Sequence, residues 1–418
     1  MNRATKDVGA VLPIDLQDER LIRRSGPADT LSGWFSQVRN GDLGSLPIIV
    51  GLVIIWGIFQ ALNPFFLSSR NLVNLAIECA AVGTISLGVV LVLLVAQIDL
   101  SVGSMSGVAS AILGVGLTQL HWPLPVVLVV AMLAGAAVGL IYGVIYVRFG
   151  VPTFVITLAG LLALLGLQLN ILGTNGSINI PFDSWIVRFN QQMFLPDVVS
   201  YVLAVVGAVA YAGSALARAR RRTRAGLSPA SPVGIVVKSV VLLVVLEVVC
   251  WYLNQARGIG APFVLFVALV IVMNFFLKRT HWGRSVYAVG GSVEGARRAG
   301  INVTRVYVSV LMLGTMLAAL GGLLSAGRLA AASISSGTGD TNLNAIAAAV
   351  IGGTSLFGGR GNSYSALLGI VVIASISSGL TLLSLDSSIR FAITGGVLML
   401  AVIVDSISHR SRVAHGRA

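Results

Sequence analysis

The stretch LVNLAIECAAVGTISLGVVLVLLV covers residues 72–95 and contains a single charged side chain, Glu78. A helix needs about 17–25 mostly apolar residues to cross the hydrocarbon layer of a bilayer, so this stretch is long enough. Similar runs recur along the 418-residue chain, which is 56% hydrophobic and 10% charged. Soluble domains average about 25% charged residues. The composition therefore indicates one polytopic membrane unit rather than several soluble domains.

Polar breaks divide the apolar residues into about twelve runs, which predict an all-α polytopic membrane protein. Helices are expected because a spanning segment must satisfy its backbone hydrogen bonds internally. The predicted spans cover residues 46–62, 72–95, 100–118, 124–147, 152–172, 198–215, 235–253, 261–277, 306–327, 344–358, 364–384 and 390–408. They form a transmembrane domain at 46–408, between an N-terminal tail at 1–45 and a C-terminal tail at 409–418.

The distribution of Lys and Arg predicts that both termini lie in the cytoplasm. With the N-terminus inside, 23 of the 28 Lys and Arg residues fall in cytoplasmic segments, as the positive-inside rule requires. Two of these segments are long, a basic loop at 216–234 and a charged loop at 278–305. The net charge of +13 fits attraction to the anionic inner leaflet, so membrane lipid is an expected partner. Nucleic acid is not expected, because no base-stacking aromatic residues interleave with the basic runs.

The sequence lacks the residue patterns of nucleotide, metal or covalent chemistry. None of the three lysines lies in the G-x-x-x-x-G-K-S/T loop that binds phosphates, and the glycine-rich run GTSLFGGRG at 353–361 has no lysine. The four histidines are widely separated, without the spacing of metal ligands. No nucleophile with a neighbouring base is visible. We therefore predict that the chain is not an enzyme, binds no cofactor or metal, and depends on a separate protein for any ATP hydrolysis.

A polar break interrupts the apolar pattern at VAQIDLSVG, residues 95–103. An isolated aspartate within lipid costs about 2.5–3.5 kcal/mol on insertion scales, so Asp99 needs a partner or water. We expect Asp99 to be the N-cap of a helix that begins at Leu100, accepting hydrogen bonds from the N–H groups near Ser101 and Val102. The alternative is direct contact with a substrate, because broken helix ends line substrate routes in transporters.

A second break, GGTSLFGGRGN, covers residues 352–362. It shares Leu356 and Gly359 with Leu100 and Gly103 of the first break, which hints at an internal duplication. We expect discontinuous helices at both breaks. The candidate residues of a translocation path are Asp99, Ser101, Ser104, Thr354 and Ser355.

Three glycines, Gly135, Gly139 and Gly143, recur every four residues in the predicted span 124–147. Small residues on one helix face allow two helix backbones to approach closely. These glycines therefore predict tight helix packing.

The charged segment WGRSVYAVGGSVEGARRAGI at 282–301 separates two long apolar runs. Residues 293–299 within it have the pattern of a short helix with well-formed ends. The end residues are Ser292 as N-cap, Glu294 in the first turn, Arg297 and Arg298 in the last turn, and Gly300 in the left-handed C′ position. Isolated helices shorter than about 12–15 residues are marginal in water, so this helix must pack against the membrane domain or a cytoplasmic partner. A solvated loop is the alternative.

The residues YAVGGSVEGARRAGI at 287–301 resemble the coupling loop of permease subunits in ribose- and xylose-type ATP-binding-cassette (ABC) sugar importers. Other motifs resemble the same family in the same order. They are IDLSVGS at 98–104, VPTFVITLAG at 151–160 and LNAIAAAVIGGTSL at 343–356. The resemblance extends over about residues 46–408, and the extra pair of spans around 218–224 is similar to that of the longer, xylose-type members.

The resemblance implies a homodimeric pore in the bacterial inner membrane. It would receive a monosaccharide, best a pentose such as xylose, from an extracytoplasmic sugar-binding protein and would be powered by a cytoplasmic ABC ATPase. The implied ATPase-coupling residues are Gly283, Arg284, Gly290, Gly291, Glu294, Ala296, Arg297 and Gly300. The chain departs from the family where Pro and Ala are frequent at Val293 and Gly295, and where Glu and Asp are frequent at Asn342 and Asn344.

Three alternatives stay open. A receptor or structural membrane scaffold without transport fits the composition but leaves both helix breaks unexplained. An ion-coupled, twelve-helix secondary sugar transporter would also carry a basic loop between its sixth and seventh spans, but ionisable residues are sparse within the spans. An ABC permease for a different small polar solute would share the motifs.

Overall fold

A computed structural model of the chain describes residues 46–227 and 232–414. The predicted N-terminal tail at 1–45 lies outside the described residues, as do residues 228–231 of the predicted basic loop and residues 415–418 of the predicted C-terminal tail. The described chain is mostly helical, and eight of its helices are long and apolar enough to cross a membrane. The sequence is therefore that of an all-α polytopic membrane protein, apart from one very short β-ribbon.

The helices are α1 (Leu46–Leu62), α2 (Ser69–Leu94), α3 (Val102–Thr118), α4 (Leu124–Phe149), α5 (Thr153–Leu172), α6 (Trp185–Gln191), α7 (Asp197–Arg224), α8 (Pro232–Asn254), α9 (Ala261–Arg279), α10 (His281–Gly291), α11 (Val293–Arg298), α12 (Val303–Leu329), α13 (Asp340–Ile351), α14 (Tyr364–Leu382) and α15 (Ser387–Ala414). Strands β1 (Ser177–Asn179) and β2 (Ala331–Ser333) pair antiparallel, with Ser177 opposite Ser333. The ribbon joins the loop that follows α5 to the loop that follows α12.

The eight helices of membrane-spanning length are α2, α4, α5, α7, α8, α9, α12 and α14. The other four predicted spans correspond to α15 and to three shorter helices, α1, α3 and α13. The predicted span 344–358 is wrong at its C-terminal end, because the helix stops at Ile351. Gly353, with a φ of +97°, lies in a backbone region that favours glycine and cannot continue the helix.

Two segments that the sequence predicts to lie outside the helices, the basic loop at 216–234 and the C-terminal tail at 409–418, are partly helical in the structure. Helix α7 continues to Arg224, so the first part of the predicted basic loop 216–234 is helical. Arg221, Arg222 and Arg224 stand in its last turn, where positive charge complements the negative end of the helix dipole. Helix α15 continues to Ala414 and takes in the beginning of the predicted tail at 409–418.

The chain divides into two compact units. The described part of the smaller unit, within Pro196–Gln255, is the hairpin of α7 and α8. Its helices are joined near their ends by Asn254 Nδ2, which donates to Ser200 Oγ at 3.0 Å. Only 6% of the apolar window of α8 is buried, so most of this helix presents apolar side chains outward, as a lipid-facing helix does.

The larger unit, Gly44–Leu195 with Ala256–Ala418, is built around α2 and α12. The predicted glycine stripe of α4 lies directly against α12. A Cβ atom at Gly135 would lie 2.8 Å from Thr315 O, and one at Gly143 would lie 2.8 Å from Val308 Cα. Thr315 Oγ1 donates to Gly135 O at 2.7 Å. The α4 and α12 backbones are therefore in contact, with no space for larger side chains.

The chain leaves the larger unit after Leu195 and returns to it at Ala256. The backbone segments on either side of this insertion pair with each other within the larger unit. Leu195 N donates to Ile259 O and Ala261 N donates to Met193 O, both at 2.9 Å. Phe194 and Gly260 form an isolated antiparallel bridge between them. We call this paired segment the neck.

Candidate functional site

Helix α10 was not predicted from the sequence, although it precedes the short helix that was. Its N-cap is Thr280, whose Oγ1 accepts from Gly283 N at 3.1 Å. Gly283, Val286 and Val289 form its buried face, at a spacing of three residues. The threonine before a three-residue apolar spacing is the signal that could have revealed this helix.

Helix α11 occupies Val293–Arg298 and ends one residue before the predicted end. Ser292 is the N-cap as predicted, with its Oγ accepting from Gly295 N at 3.1 Å. Arg298 Nε lies 3.2 Å from Glu294 Oε1, in an exposed i,i+4 pair. Gly300 has a φ of +77°, in the left-handed conformation expected after a helix. The buried residue of this helix is Ala296.

Two side-chain hydrogen bonds attach α10 to the membrane domain. Trp282 Nε1 donates to Ser309 Oγ on α12 at 2.8 Å. Tyr287 OH donates to Gly361 O in the loop after α13 at 2.9 Å. Burial raises the pKa of the Tyr287 phenol above its ordinary value, so the hydroxyl keeps its proton at neutral pH and remains a donor. This helix is therefore fixed to two different elements of the domain.

The C-terminal end of α10 packs backbone to backbone against both polar breaks. Gly359 N donates to Leu94 O at 2.9 Å, which joins the loop after α13 to the end of α2. A Cβ atom at Gly290 would lie 2.6 Å from Gly359 N and still closer to Leu94 O. A Cβ atom at Gly358 would lie 2.7 Å from the Cβ of Ala96 and 2.8 Å from Gly290 O. We call this contact of three backbone segments the glycine junction.

The structure divides the predicted ATPase-coupling residues into two sets. Gly283 and Ala296 are buried, and Gly290 is packed in the glycine junction. The others are exposed, and they are Arg284, Gly291, Glu294, Arg297 and Gly300. Helices α10 and α11 thus present a charged surface outward, while Gly290 near the end of α10 packs against both breaks.

Asp99 is buried, with 2% of its surface exposed, and its Oδ1 accepts from Ser101 N at 2.8 Å and from Ser101 Oγ at 2.7 Å. The expectation that Asp99 is an N-cap is wrong, because α3 begins at Val102 and its N-cap is Ser101. The predicted hydrogen bond from Ser101 N is present, but it closes a turn before the helix. Asp99 Oδ2 is buried without a partner among the described residues.

The first break is tied to α5 and α13. Leu100 N donates to Thr157 Oγ1 at 3.1 Å, and Thr153 Oγ1 donates to Gln97 Oε1 at 2.8 Å. Asn342 Nδ2 donates to Leu100 O at 2.7 Å. Asn342 is one of the positions where the chain departs from its family pattern, and here it holds the break in place.

The remaining path candidates are also buried. Ser104, Thr354 and Ser355 expose 4%, 1% and 4% of their surface. Ser355 N donates to Arg360 O at 3.1 Å, which closes a turn within the second break. Asp99 and Ser101 contact each other, whereas the two breaks meet through Leu94, Ala96, Gly358 and Gly359. In this conformation the five candidates lie inside the protein rather than along an open path.

Glu78 of α2, the single charged residue of the stretch 72–95, is partly exposed. Its Oε1 lies 3.5 Å from Arg328 Nη1, and both side chains are more than one-third exposed. Among the residues that the structure describes, no group of three or more His, Cys, Asp or Glu side chains could hold a metal ion.

Apolar helices that enclose two polar backbone breaks, with α10 packed against both, are typical of the membrane subunit of a transporter. The family model described as "Branched-chain amino acid transport system / permease component" matches residues 71–404, and the chain belongs to this family.

Three relatives indicate which kinds of permease within the family the chain is similar to. The xylose transport system permease protein XylH of Escherichia coli K12 is 35% identical over 381 residues, covering 91% of this chain and 96% of the relative. XylH of Haemophilus influenzae is 32% identical over 363 residues, covering 86% and 95%. The ribose import permease protein RbsC of E. coli K12 is 29% identical over 364 residues, covering 86% and 92%. No solved structure matches the chain. The chain is thus a ribose/xylose-type ABC permease, as its motifs suggested.

Proposed function

We propose that this chain is the membrane subunit of an ATP-driven importer that carries a monosaccharide, of the pentose class and best represented by xylose. The observation that carries the proposal is the exposed pair of α10 and α11, in which α10 packs into the glycine junction through Gly290. Because the chain has no nucleotide-binding motif of its own, a separate ATPase would need an exposed element of this kind through which to act on it. The similarity to two xylose permeases supports the choice of sugar.

The proposed coupling runs through the backbone. A cytoplasmic ABC ATPase would hold the exposed residues of the pair, namely Arg284, Gly291, Glu294, Arg297 and Gly300. Movement of α10 would then act on Leu94 at the end of α2 and on Gly359 in the second break, because Gly290 touches both. Packed backbones have little compressibility, so a small displacement of α10 is transmitted to both breaks.

The proposed topology has twelve crossings, with both termini in the cytoplasm of a bacterial cell and discontinuous helices at the two breaks. The positive-inside distribution of Lys and Arg supports it. Helix α15 and the short helices α1, α3 and α13 would complete the crossings as parts of a bundle, and the apolar faces of α7 and α8 would contact lipid. Two copies of the chain would form the pore, and an extracytoplasmic sugar-binding protein would deliver the sugar.

Asp99, Ser101, Ser104, Thr354 and Ser355 remain the proposed inner part of the translocation path. Their burial implies that they meet the sugar only after the two breaks separate. The stripe of Gly135, Gly139 and Gly143 would hold α4 and α12 together while this happens.

The proposal is tested by uptake of radiolabelled xylose in cells of the native organism, from which the gene for this chain is deleted and then restored. We expect uptake to require the gene, and to persist when an uncoupler removes the ion gradients while ATP is maintained. Loss of uptake under the uncoupler would identify an ion-coupled transporter. Gene-dependent uptake of another small polar solute, with xylose uptake unchanged, would identify a different substrate.

A further inference from the structure

Helix α2 has one narrow open stripe on an otherwise buried surface. From Val73 to Leu94 every residue is buried except Asn74, Glu78 and Val82. Residues four apart lie on the same helix face, so these three form one continuous line. We call this line the open stripe. Glu78 is about 14 Å along the helix axis from Ser69, at about 1.5 Å per residue, in a helix long enough to cross a bilayer of about 30 Å.

Two arginines from other elements face the open stripe. Arg328 Nη1 in the last turn of α12 lies 3.5 Å from Glu78 Oε1. Arg257 Nη2, in the loop before α9, donates to Asn74 Oδ1. The fold holds both arginines in place, because Gln191 Nε2 donates to Arg328 O at 2.7 Å and the Arg257 guanidinium lies 4.9 Å from the centre of the Phe194 ring.

Stability does not explain these charges. A charged side chain inside a spanning segment is costly and, where present, faces a partner or a water-filled cavity. The Glu78–Arg328 pair is long at 3.5 Å, and its side chains are 36% and 37% exposed. Exposed pairs of this kind add little to stability. The remaining hydrogen-bonding capacity of the carboxylate and the guanidinium is therefore open to a solute.

The chemistry of the open stripe fits a neutral polyhydroxylated solute. A sugar hydroxyl can donate to the Glu78 carboxylate while a neighbouring hydroxyl oxygen accepts from the Arg328 guanidinium. Hydrogen bonds to charged groups are about twice as strong as those between neutral groups, so a small sugar can be held by few contacts. Asn74 and Arg257 provide the same pairing of acceptor and donor one helical turn nearer the end of α2 at Ser69.

We propose that Asn74, Glu78, Arg257 and Arg328 form a sugar-binding contact on the extracytoplasmic half of the permease, where the sugar enters after leaving its binding protein. This inference rests on the proposed function and its topology. It adds a contact outside the two breaks, and it predicts that the permease itself, and not only the binding protein, recognises the sugar.

Uptake by charge-removing variants gives the first test. Glu78→Gln and Arg328→Gln keep much of the side-chain shape, and we expect each to reduce xylose uptake at saturating sugar at least tenfold. Membrane levels and ATPase co-purification should stay as in the wild type. Glu247→Gln is the matched control, because Glu247 is a half-exposed acid on α8, in the smaller unit, and its uptake should stay within twofold of the wild type.

A labelling experiment reads sugar binding directly. Val82→Cys is introduced into the full chain with Cys79→Ala and Cys250→Ala, in the complete transporter, and is treated from outside with a membrane-impermeant maleimide. We expect labelling that 100 mM xylose slows at least threefold and that glycine betaine of equal osmolarity does not slow. Adding Glu78→Gln should abolish the protection. Val90→Cys, at a buried position of the same helix, should remain unlabelled.

Unchanged uptake in both charge-removing variants would overturn the inference, as would labelling of Val82→Cys that is insensitive to xylose. Failure of the wild-type chain to support ATP-dependent sugar uptake would instead overturn the proposed function. The two failures are therefore distinguishable.

Discussion

Replacement of Gly290 by alanine tests whether the glycine junction transmits movement. The added Cβ would lie 2.6 Å from Gly359 N and closer still to Leu94 O, and both are backbone atoms. They are also hydrogen-bonded to each other at 2.9 Å, so neither can move without weakening that bond. The methyl group therefore pushes α10 away from both breaks.

The free-energy change caused by this substitution is the sum of two destabilising contributions and one stabilising contribution. Overpacking costs about 1–3 kcal/mol, and loss of the hydrogen bond between Gly359 and Leu94 would add about 0.5–1.5 kcal/mol. Alanine in place of glycine within a helix returns about 0.5–1 kcal/mol. The middles of these ranges combine to a net shift toward separation of about 2 kcal/mol, which corresponds to about 30-fold in a conformational equilibrium.

The assay measures ATP-dependent xylose uptake and ATP hydrolysis together, in vesicles that contain the complete transporter. For Gly290→Ala we expect uptake to fall at least about fivefold while ATP hydrolysis continues. The control is Gly166→Ala in α5, outside the proposed coupling residues, where a Cβ has nothing within 4 Å. Equal uptake in the two variants would refute the reasoning.

Three further outcomes are expected. Glu294→Arg should leave the chain in the membrane but weaken ATPase co-purification and uptake, because the residue is exposed in the first turn of α11; unchanged pull-down would contradict its coupling role. Tyr287→Phe removes the donor to Gly361 O, a loss of about 0.5–1.5 kcal/mol, and should speed hydrogen exchange in the loop after α13; equal exchange rates would count against this attachment. Gly139→Ala brings a Cβ against Thr315 Oγ1 and Leu311 O, so it should destabilise the protein by about 1–3 kcal/mol in thermal unfolding in detergent. Gly166→Ala, with open space around it, is the control, and equal unfolding midpoints would show that the stripe is not tightly packed.

Hydropathy located the long helices because a spanning segment must be both apolar and long. It failed at the C-terminal end of the predicted span 344–358, where the apolar pattern continues through Leu356 and Phe357 but the backbone at Gly353 cannot remain helical. It also extended the predicted loop at 216–234 over residues that are helical. Charge was taken there as a sign of a loop, although arginines are favourable in the last turn of a helix.

The ends of α11 could be predicted because caps are local, and the sequence of Ser292, Glu294 and Gly300 specifies them without any tertiary contact. Helix α10 could not be predicted as easily. It is eleven residues long, contains three glycines, and is held mainly by tertiary bonds from Trp282 and Tyr287. The glycine junction combines segments about 200 and 70 residues apart in sequence, and a single sequence carries no signal that joins Leu94, Gly290 and Gly359.

The α7–α8 hairpin can be inserted at the neck without changing the side of the membrane on which the later segments lie. The chain leaves at Leu195 and returns at Ala256, and the paired backbone on either side would stay paired whether sixty residues or a short turn joined them. The hairpin also contains two helices of membrane-spanning length, and an even number of crossings leaves every later segment on its original side. Such a hairpin can be gained or lost in one step while α10 and α11 still face the same compartment. A permease with or without such a hairpin can therefore present the proposed coupling surface to the same compartment.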